Sequence, residues 1–521
     1  MSLALTLALL AAPLSGVDEV PLAAPTDGVV RYVVAVGYNG RGEGGRRSLR
    51  FSDDDAARFY LQLLPSAKRG WLLASFDEES ARAFVDLTDI ARPPSQAELA
   101  RVLGELTWSM REDRRRGLET ELVFYFAGHG DVDAGGEGYL VLADGPFTRT
   151  DLETQVVGGS LADTNHVVVD ACASYFMVAR GDEKSGKKPL SPDLLDVLSS
   201  PSPKTQEAYL RTGVLVSTSD AAEVHESAEL GGGVFSYLLR SALAGGADVD
   251  ADGDVEYAEA ASFIASASAA IEDPRARLKA YAKAPVQRPH VALVDFKSTD
   301  VQHFLAVEGG VSRRVQLLDA RGVPYAEVHA GKHPGVRLAL VGNPFFIVRV
   351  GSKEAVLVPR RAGAYSLSSL DFQDALEARG HVDGTFAGLF RAAFDRSFVE
   401  GYVAHSALLP PRADGSYLVA YAPGAEAPFE LPLGALGMGS LVGAGVLATA
   451  TVGAAVGNAV AYAELEKGYR DSRYLDPDLS LAVEGWRTAA LASVAGTVAF
   501  GVTGALLITL EVLKEPQEDA P

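Results

Sequence analysis

One cysteine in 521 residues is the scarcest resource of this chain. It excludes an intramolecular disulfide framework and a zinc site built from several cysteines. Basic residues are also in deficit, with 47 Lys and Arg against 68 Asp and Glu and a net charge of −21. Phosphate binding needs clustered Lys and Arg, so no nucleic-acid partner is expected. The length predicts roughly three or four structural units. The single thiol, Cys172, reads either as a small buried hydrophobe or as a nucleophile.

Charge is missing altogether from residues 433–463 and 488–510. Each run exceeds the ~20 residues a helix needs to cross a bilayer. Both are rich in small residues; Gly439 and Gly443, and Gly453 and Gly457, are spaced for close helix approach. The competing reading is a pair of buried Ala/Gly helices in a soluble domain. The intervening segment 464–487 carries Lys467, Arg470, Arg473 and Arg487, so the positive-inside bias places it in the cytoplasm. A short apolar run over 2–16 followed by small residues predicts a signal peptide over 1–24. Both features put the bulk of the chain outside the cell membrane, in the periplasm or at the cell surface.

Strand-like runs alternate with helical ones from 25 to 295. Strands are expected over 29–37, 81–89, 121–130, 165–172 and 213–219. Helices are expected over 53–64, 95–115 and 235–245. This alternation predicts a parallel α/β sheet covered on both faces, with its site at the carboxyl ends of the strands. Residues 180–211 are polar and Ser/Pro/Lys-rich, an expected exposed insert. A small all-β unit is expected over 296–367 and a helical connector over 368–432. The membrane hairpin follows (433–463 and 488–510), then a tail over 511–521.

Two expected strands end in chemically special residues: Phe126-Ala127-Gly128-His129-Gly130 and Asp170-Ala171-Cys172. If they are neighbours in a parallel sheet, His129 and Cys172 emerge at one edge. An imidazole can take the thiol proton, and the thiolate is the attacking species. Backbone N–H groups beside the histidine can receive an oxyanion. Of the other histidines, His166 starts its strand and belongs at the opposite end of the sheet, while His225 lies in a polar loop.

The runs YVVAVGYN, LRFSDDDAARFYLQLL, VFYFAGHGD, HVVVDACAS and GGGVFSYLLRSALAGGADVD occur in that order. Over about half the chain this pattern resembles the caspase-like cysteine peptidases, and within them the bacterial and metacaspase branch. The histidine-to-cysteine spacing of 172 − 129 = 43 is close to the ~50 of caspases. The resemblance implies His129 as general base and Cys172 as nucleophile. It implies Gly130 and Cys172 N–H groups as the oxyanion hole, and Asp55 and Asp170 as an acidic pocket. Two carboxylates there favour Arg or Lys in a protein or peptide substrate. Asp55 has a competing reading as a helix N-terminal carboxylate. Metacaspases follow the cysteine with His-Ser-Gly, whereas Ala173-Ser174-Tyr175 stand here. A non-catalytic scaffold of the same fold, binding partners in the envelope, is therefore the alternative; a clostripain-like peptidase is a third. Lys184, Lys187 and Lys188 in the insert are candidate self-cleavage sites.

Residues 248–259 match the calcium-loop pattern D-x-D-x-D-G-x₅-E. Asp248, Asp250, Asp252, Asp254, Glu256 and Glu259 are the candidate ligands, with Asp254 offering its carbonyl and Glu256 acting through water. Ca²⁺ is thus an expected ligand; catalysis itself needs no cofactor. A purely structural acidic linker is the competing reading.

Overall fold

The computed structural model describes residues 28–40, 48–171, 203–218, 226–273, 276–309, 312–331, 335–375, 386–406 and 418. The signal peptide, both membrane stretches with their loop and tail, Cys172, His225 and most of the 180–211 insert lie outside the described residues. Among the described residues no helix is long and apolar enough to cross a membrane.

The chain folds as a mixed α/β structure. Its first part contains β1 (Val29–Tyr38), α1 (Ser52–Leu63), β2 (Arg69–Ala74), α2 (Gln96–Arg115), β3 (Glu119–Gly128), β4 (Thr164–Ala171), β5 (Thr212–Thr218), α3 (Val234–Ser241), α4 (Tyr257–Ser268) and β6 (Lys279–Lys283). The sheet order is β6-β5-β4-β3-β1-β2, parallel throughout except for β6, which is antiparallel to β5. The central strands are apolar on both faces because both faces are covered. Val30, Tyr32, Val34 and Val36 of β1 pack with Leu99, Val102, Leu106 and Met110 of α2. Val33 and Ala35, one residue out of phase, pack with Ala56, Phe59 and Tyr60 of α1 and with α3. Gly37 lets α1 approach β1 closely, since a Cβ there would lie 2.2 Å from the Ser52 carbonyl oxygen.

The expected strand over 81–89 does not form. Glu78–Ala83 and Val85–Thr88 are short helices, and the edge strand is β2. Asp77 caps the first of these helices, accepting from the Glu79 and Ser80 N–H groups at 2.9 Å. Val85 stays exposed, whereas Trp71, Leu72, Leu73 and Ala74 are buried. Burial, rather than β-branched content, selected the strand. β6 was not expected either. Within the insert, Pro203–Leu210 is helical.

The second part is all-β, in two sheets. Gly335–Ala339, His303–Glu308 and Gly363–Ser366 form one. Pro324–Ala330, Arg313–Leu318, Phe346–Val350, Lys353–Leu357 and Gln373–Asp374 form the other. Of the helical connector expected over 368–432, the described residues contain one α-helix, Arg396–Ser406. Gln373–Asp374 instead adds to the ladder of Lys353–Leu357, which satisfies its backbone groups there. Phe304, Leu317, Val328 and Phe346 share one core with Tyr237 and Leu238 of α3 and Phe263 and Ile264 of α4. The β unit therefore braces the two helices that lie over the sheet.

Candidate active site

β3 and β4 run parallel in the register Ala127↔Asp170 and Gly128↔Ala171. His129 is one residue beyond the last pair on β3; Cys172, which follows Ala171 in the sequence, lies outside the described residues. His129 is buried, and its carbonyl accepts from Val141 N–H at 3.0 Å. That bond comes from a hairpin in which Gly130 faces Leu140. His129 is thereby held where β3 leaves the sheet.

Asp170 lies two residues before Cys172, and its side chain turns to the N-terminus of α3. Its Oδ2 accepts from Ser236 N–H at 3.1 Å and from the Ser236 hydroxyl. Ser236 Oγ also bonds the Tyr125 hydroxyl at 2.6 Å. Asp55, in the first turn of α1, reaches the same helix end and accepts from Gly233 N–H at 2.6 Å. A Cβ at Gly233 would sit 3.0 Å from a carboxylate oxygen of each aspartate, so any side chain there presses on both. The first N–H groups of a helix have no partner within the helix and carry positive potential, which suits carboxylate oxygens as acceptors. The structure thus brings Asp55 and Asp170 together at the His129 edge of the sheet. Asp55 also keeps its place as a first-turn carboxylate of α1.

Both carboxylates are buried. Burial pushes Asp55 up to about 8, against the pull of Arg240 and Arg58. It pushes Asp170 up to about 6, against the hydrogen bonds from Ser236. Arg240 is a resident counter-charge: it is 3% exposed, with Nη2 3.9 Å from Asp55 Oδ1 and Nη1 3.4 Å from the Tyr325 carbonyl. Arg58 donates to the Gly231 carbonyl and lies 3.6 Å from Asp54. Glu226 accepts from the Arg50 and Phe51 N–H groups, holding the segment that leads into α1. Sequence reasoning missed Arg240, Ser236 and Glu226. Only Arg240 left a trace, a cation inside the otherwise apolar run FSYLLRSALAG.

His166 lies at the far end of β4, fully buried, with Nδ1 2.8 Å from the Tyr257 hydroxyl. Burial pushes it down to about 4, so it is a neutral structural histidine.

In the acidic loop, one carboxylate oxygen from each of Asp248, Asp250 and Asp252 lies within 4.8 Å of the others. The remaining candidates already have hydrogen-bond or ion-pair partners. Asp254 Oδ2 accepts from Lys297 Nζ at 3.0 Å, and Glu256 Oε2 lies 3.1 Å from His290 Nδ1. Glu259 accepts from Val249 N–H and Glu256 N–H at 3.1 and 3.0 Å, closing a capping box at the start of α4.

No protein family and no curated protein matches this chain. Among solved structures it is similar to protein GSU0716 from Geobacter sulfurreducens, at 14% identity over 49% of this chain and 92% of that one, with a TM-score of 0.28. It is also similar to caspase-1 from Spodoptera frugiperda, at 12% identity over 53% and 93%, with a TM-score of 0.29. The structure titled pro-sf-caspase-1 follows at 11% identity over 52% and 94%, with a TM-score of 0.25. Scores this low carry no weight for fold or chemistry, which rest on the sheet register and the side chains around it.

Proposed function

We propose that this chain is a caspase-like cysteine endopeptidase that cleaves after Arg or Lys. The observation that supports this reading is the β3–β4 register, which pairs Gly128 with Ala171; His129 and Cys172 follow these two residues in the sequence. Neighbouring strands are about 4.8 Å apart, within reach of an imidazole and a thiol. In the proposed reaction His129 takes the Cys172 proton and the thiolate attacks the scissile carbonyl. The N–H groups of Gly130 and Cys172 receive the oxyanion. Collapse breaks the C–N bond, and His129 returns its proton to the leaving amine. Water, deprotonated by His129, then hydrolyses the thioester and restores the thiol. Asp55 and Asp170 would pair with the basic side chain of the substrate.

A second reading is favoured by the helix end itself. Both carboxylates already have resident donors from α3, and Arg240 stands beside Asp55. A non-catalytic scaffold would need no more than that. Fluorogenic Arg, Lys and Asp peptides separate the two. The peptidase reading expects turnover of Arg and Lys peptides, falling at least ~10³-fold in Cys172→Ala and in His129→Ala. No turnover of any peptide leaves the scaffold. Turnover of Asp peptides alone overturns the acidic pocket.

We further propose that the domain is membrane-anchored and faces outward, on the charge-free stretches and the basic segment between them. Protease added to spheroplasts should digest residues 25–432 and spare 464–487; the reverse pattern refutes this orientation.

A further inference from the structure

The acidic loop lies at a junction. The turn after α3 packs on the second β unit, where a Cβ at Gly245 would meet the Arg337 carbonyl oxygen at 2.1 Å. The Gly253 carbonyl accepts from Phe296 N–H at 2.9 Å, at the start of that unit. Asp254 is tied to Lys297, and its strand Asp254–Glu256 pairs with Ala292–Asp295. The segment joining α3 to α4 is thus bonded to the chain that leads into the β unit. Inside it three carboxylates converge.

Convergence of acidic groups is common without an ion, but at Asp248 a buried carboxylate oxygen has no donor among the described residues. Asp248 is 7% exposed; its Oδ2 accepts from Gly253 N–H at 3.2 Å, and its Oδ1 is buried with no hydrogen-bond partner among the described residues. A buried carboxylate oxygen left without a donor costs the full desolvation of that atom. The backbone holds this arrangement in place. Glu259, at the twelfth position, ties Val249 N–H to Glu256 N–H and so closes the loop around the three aspartates. Two oxygens each about 2.4 Å from one calcium ion are at most about 4.8 Å apart. The three aspartate oxygens meet that limit. An all-oxygen, triply anionic set suits a hard divalent cation, and Ca²⁺ accepts its irregular geometry better than Mg²⁺ does.

We propose that Asp248, Asp250 and Asp252 bind one calcium ion that clamps the α3–α4 connection against the second β unit. Glu259 serves this site as the residue that positions the loop through its two backbone bonds. The role of the ion is to hold the β unit on α3 and α4, independently of whether Cys172 is a nucleophile.

The test is calorimetric titration of the full-length chain, stripped with chelator, with CaCl₂ and separately with MgCl₂. One calcium per chain is expected, with at least tenfold preference over magnesium and a higher melting temperature in calcium. Asp248→Asn/Asp250→Asn should lose at least tenfold in calcium affinity. In chelator it should melt no lower than the parent, because it removes converging charge. No heat and no melting shift at about 1 mM calcium, the weak end of such loops, overturns the proposal. So does equal binding by parent and variant. Should the variant fail to fold, Tb³⁺ bound to the parent decides: emission sensitised by Tyr257 and displaced by calcium supports the site, and its absence overturns it. Loss of peptidase activity in Cys172→Ala with calcium binding intact would separate this inference from the proposed function.

Discussion

Replacing Arg240 with methionine probes the least expected feature of the site. Arg240 is 3% exposed, and Nη2 lies 3.9 Å from Asp55 Oδ1. At an effective dielectric of about 20, that separation corresponds to about 4 kcal/mol of attraction, or roughly three pKa units on Asp55. Asp55 already stands at about 8 in the folded chain, above the 3.8 of a free aspartate. A carboxylate raised in this way contributes stability that is complete below its unfolded value and is lost as pH rises through its folded value. At pH 6 Asp55 is therefore protonated with or without Arg240. The variant should lose only packing and the bond to Tyr325, about 1–2 kcal/mol. Above pH 8 the parent ionises Asp55 and its loss of stability levels off. The variant holds the proton and keeps losing. Its deficit should grow by about 1.4 kcal/mol for each pH unit. Urea midpoints measured from pH 6 to pH 9 give both curves. Adding Asp55→Asn to the variant should remove the growth. A deficit that is the same at pH 6 and pH 9 would refute the assignment of Arg240 as the counter-charge of Asp55.

Four further outcomes are expected. For Arg peptides kcat/KM should rise between pH 6 and 8, as Asp170 (about 6) and Asp55 (about 8) release their protons; a peptide with a neutral residue at that position corrects for the thiol. Asp170→Asn should raise KM for Arg peptides about 10- to 100-fold, the worth of a hydrogen bond to a charged group, with the melting temperature as control. Gly233→Ala should destabilise by about 1–3 kcal/mol through overpacking. Its φ of −66° is open to any residue, and the added Cβ would lie 3.0 Å from both carboxylates. Mass spectrometry of the purified chain should find a cut after Lys184, Lys187 or Lys188 that is absent in Cys172→Ala.

The sheet edge that holds His129, Asp55 and Asp170 was legible in part because short-range signals converge there. Glycines flank His129, the strands that end at Gly128 and Ala171 are long apolar runs, and parallel strands align their carboxyl ends by construction. The acidic loop was legible as a motif for the same reason: all of its residues fall within twelve positions. The failures have a common cause. The run 81–89 has the composition of a strand, yet the neighbours of β1 leave it outside the sheet, and RGWLLA takes the edge. Gln373–Asp374 carries no strand signal and joins a ladder only because Lys353–Leu357 offers one.

The sequence alone determined the alternation of elements, the direction of the sheet and the positions of His129, Cys172 and the acidic loop in chain order. These follow from periodicity and spacing, which are local. Only the tertiary structure decided that Asp55 and Asp170 meet at one helix end, although they are 115 residues apart in sequence, by 170 − 55. Only it placed Arg240 beside Asp55, through the packing of α3 between the sheet and Tyr325. It also brought one oxygen from each of Asp248, Asp250 and Asp252 together, and set Asp254, Glu256 and Glu259 against Lys297, His290 and the loop backbone. Each of these depends on which surfaces are buried together, and burial is a property of the whole chain rather than of any window in it.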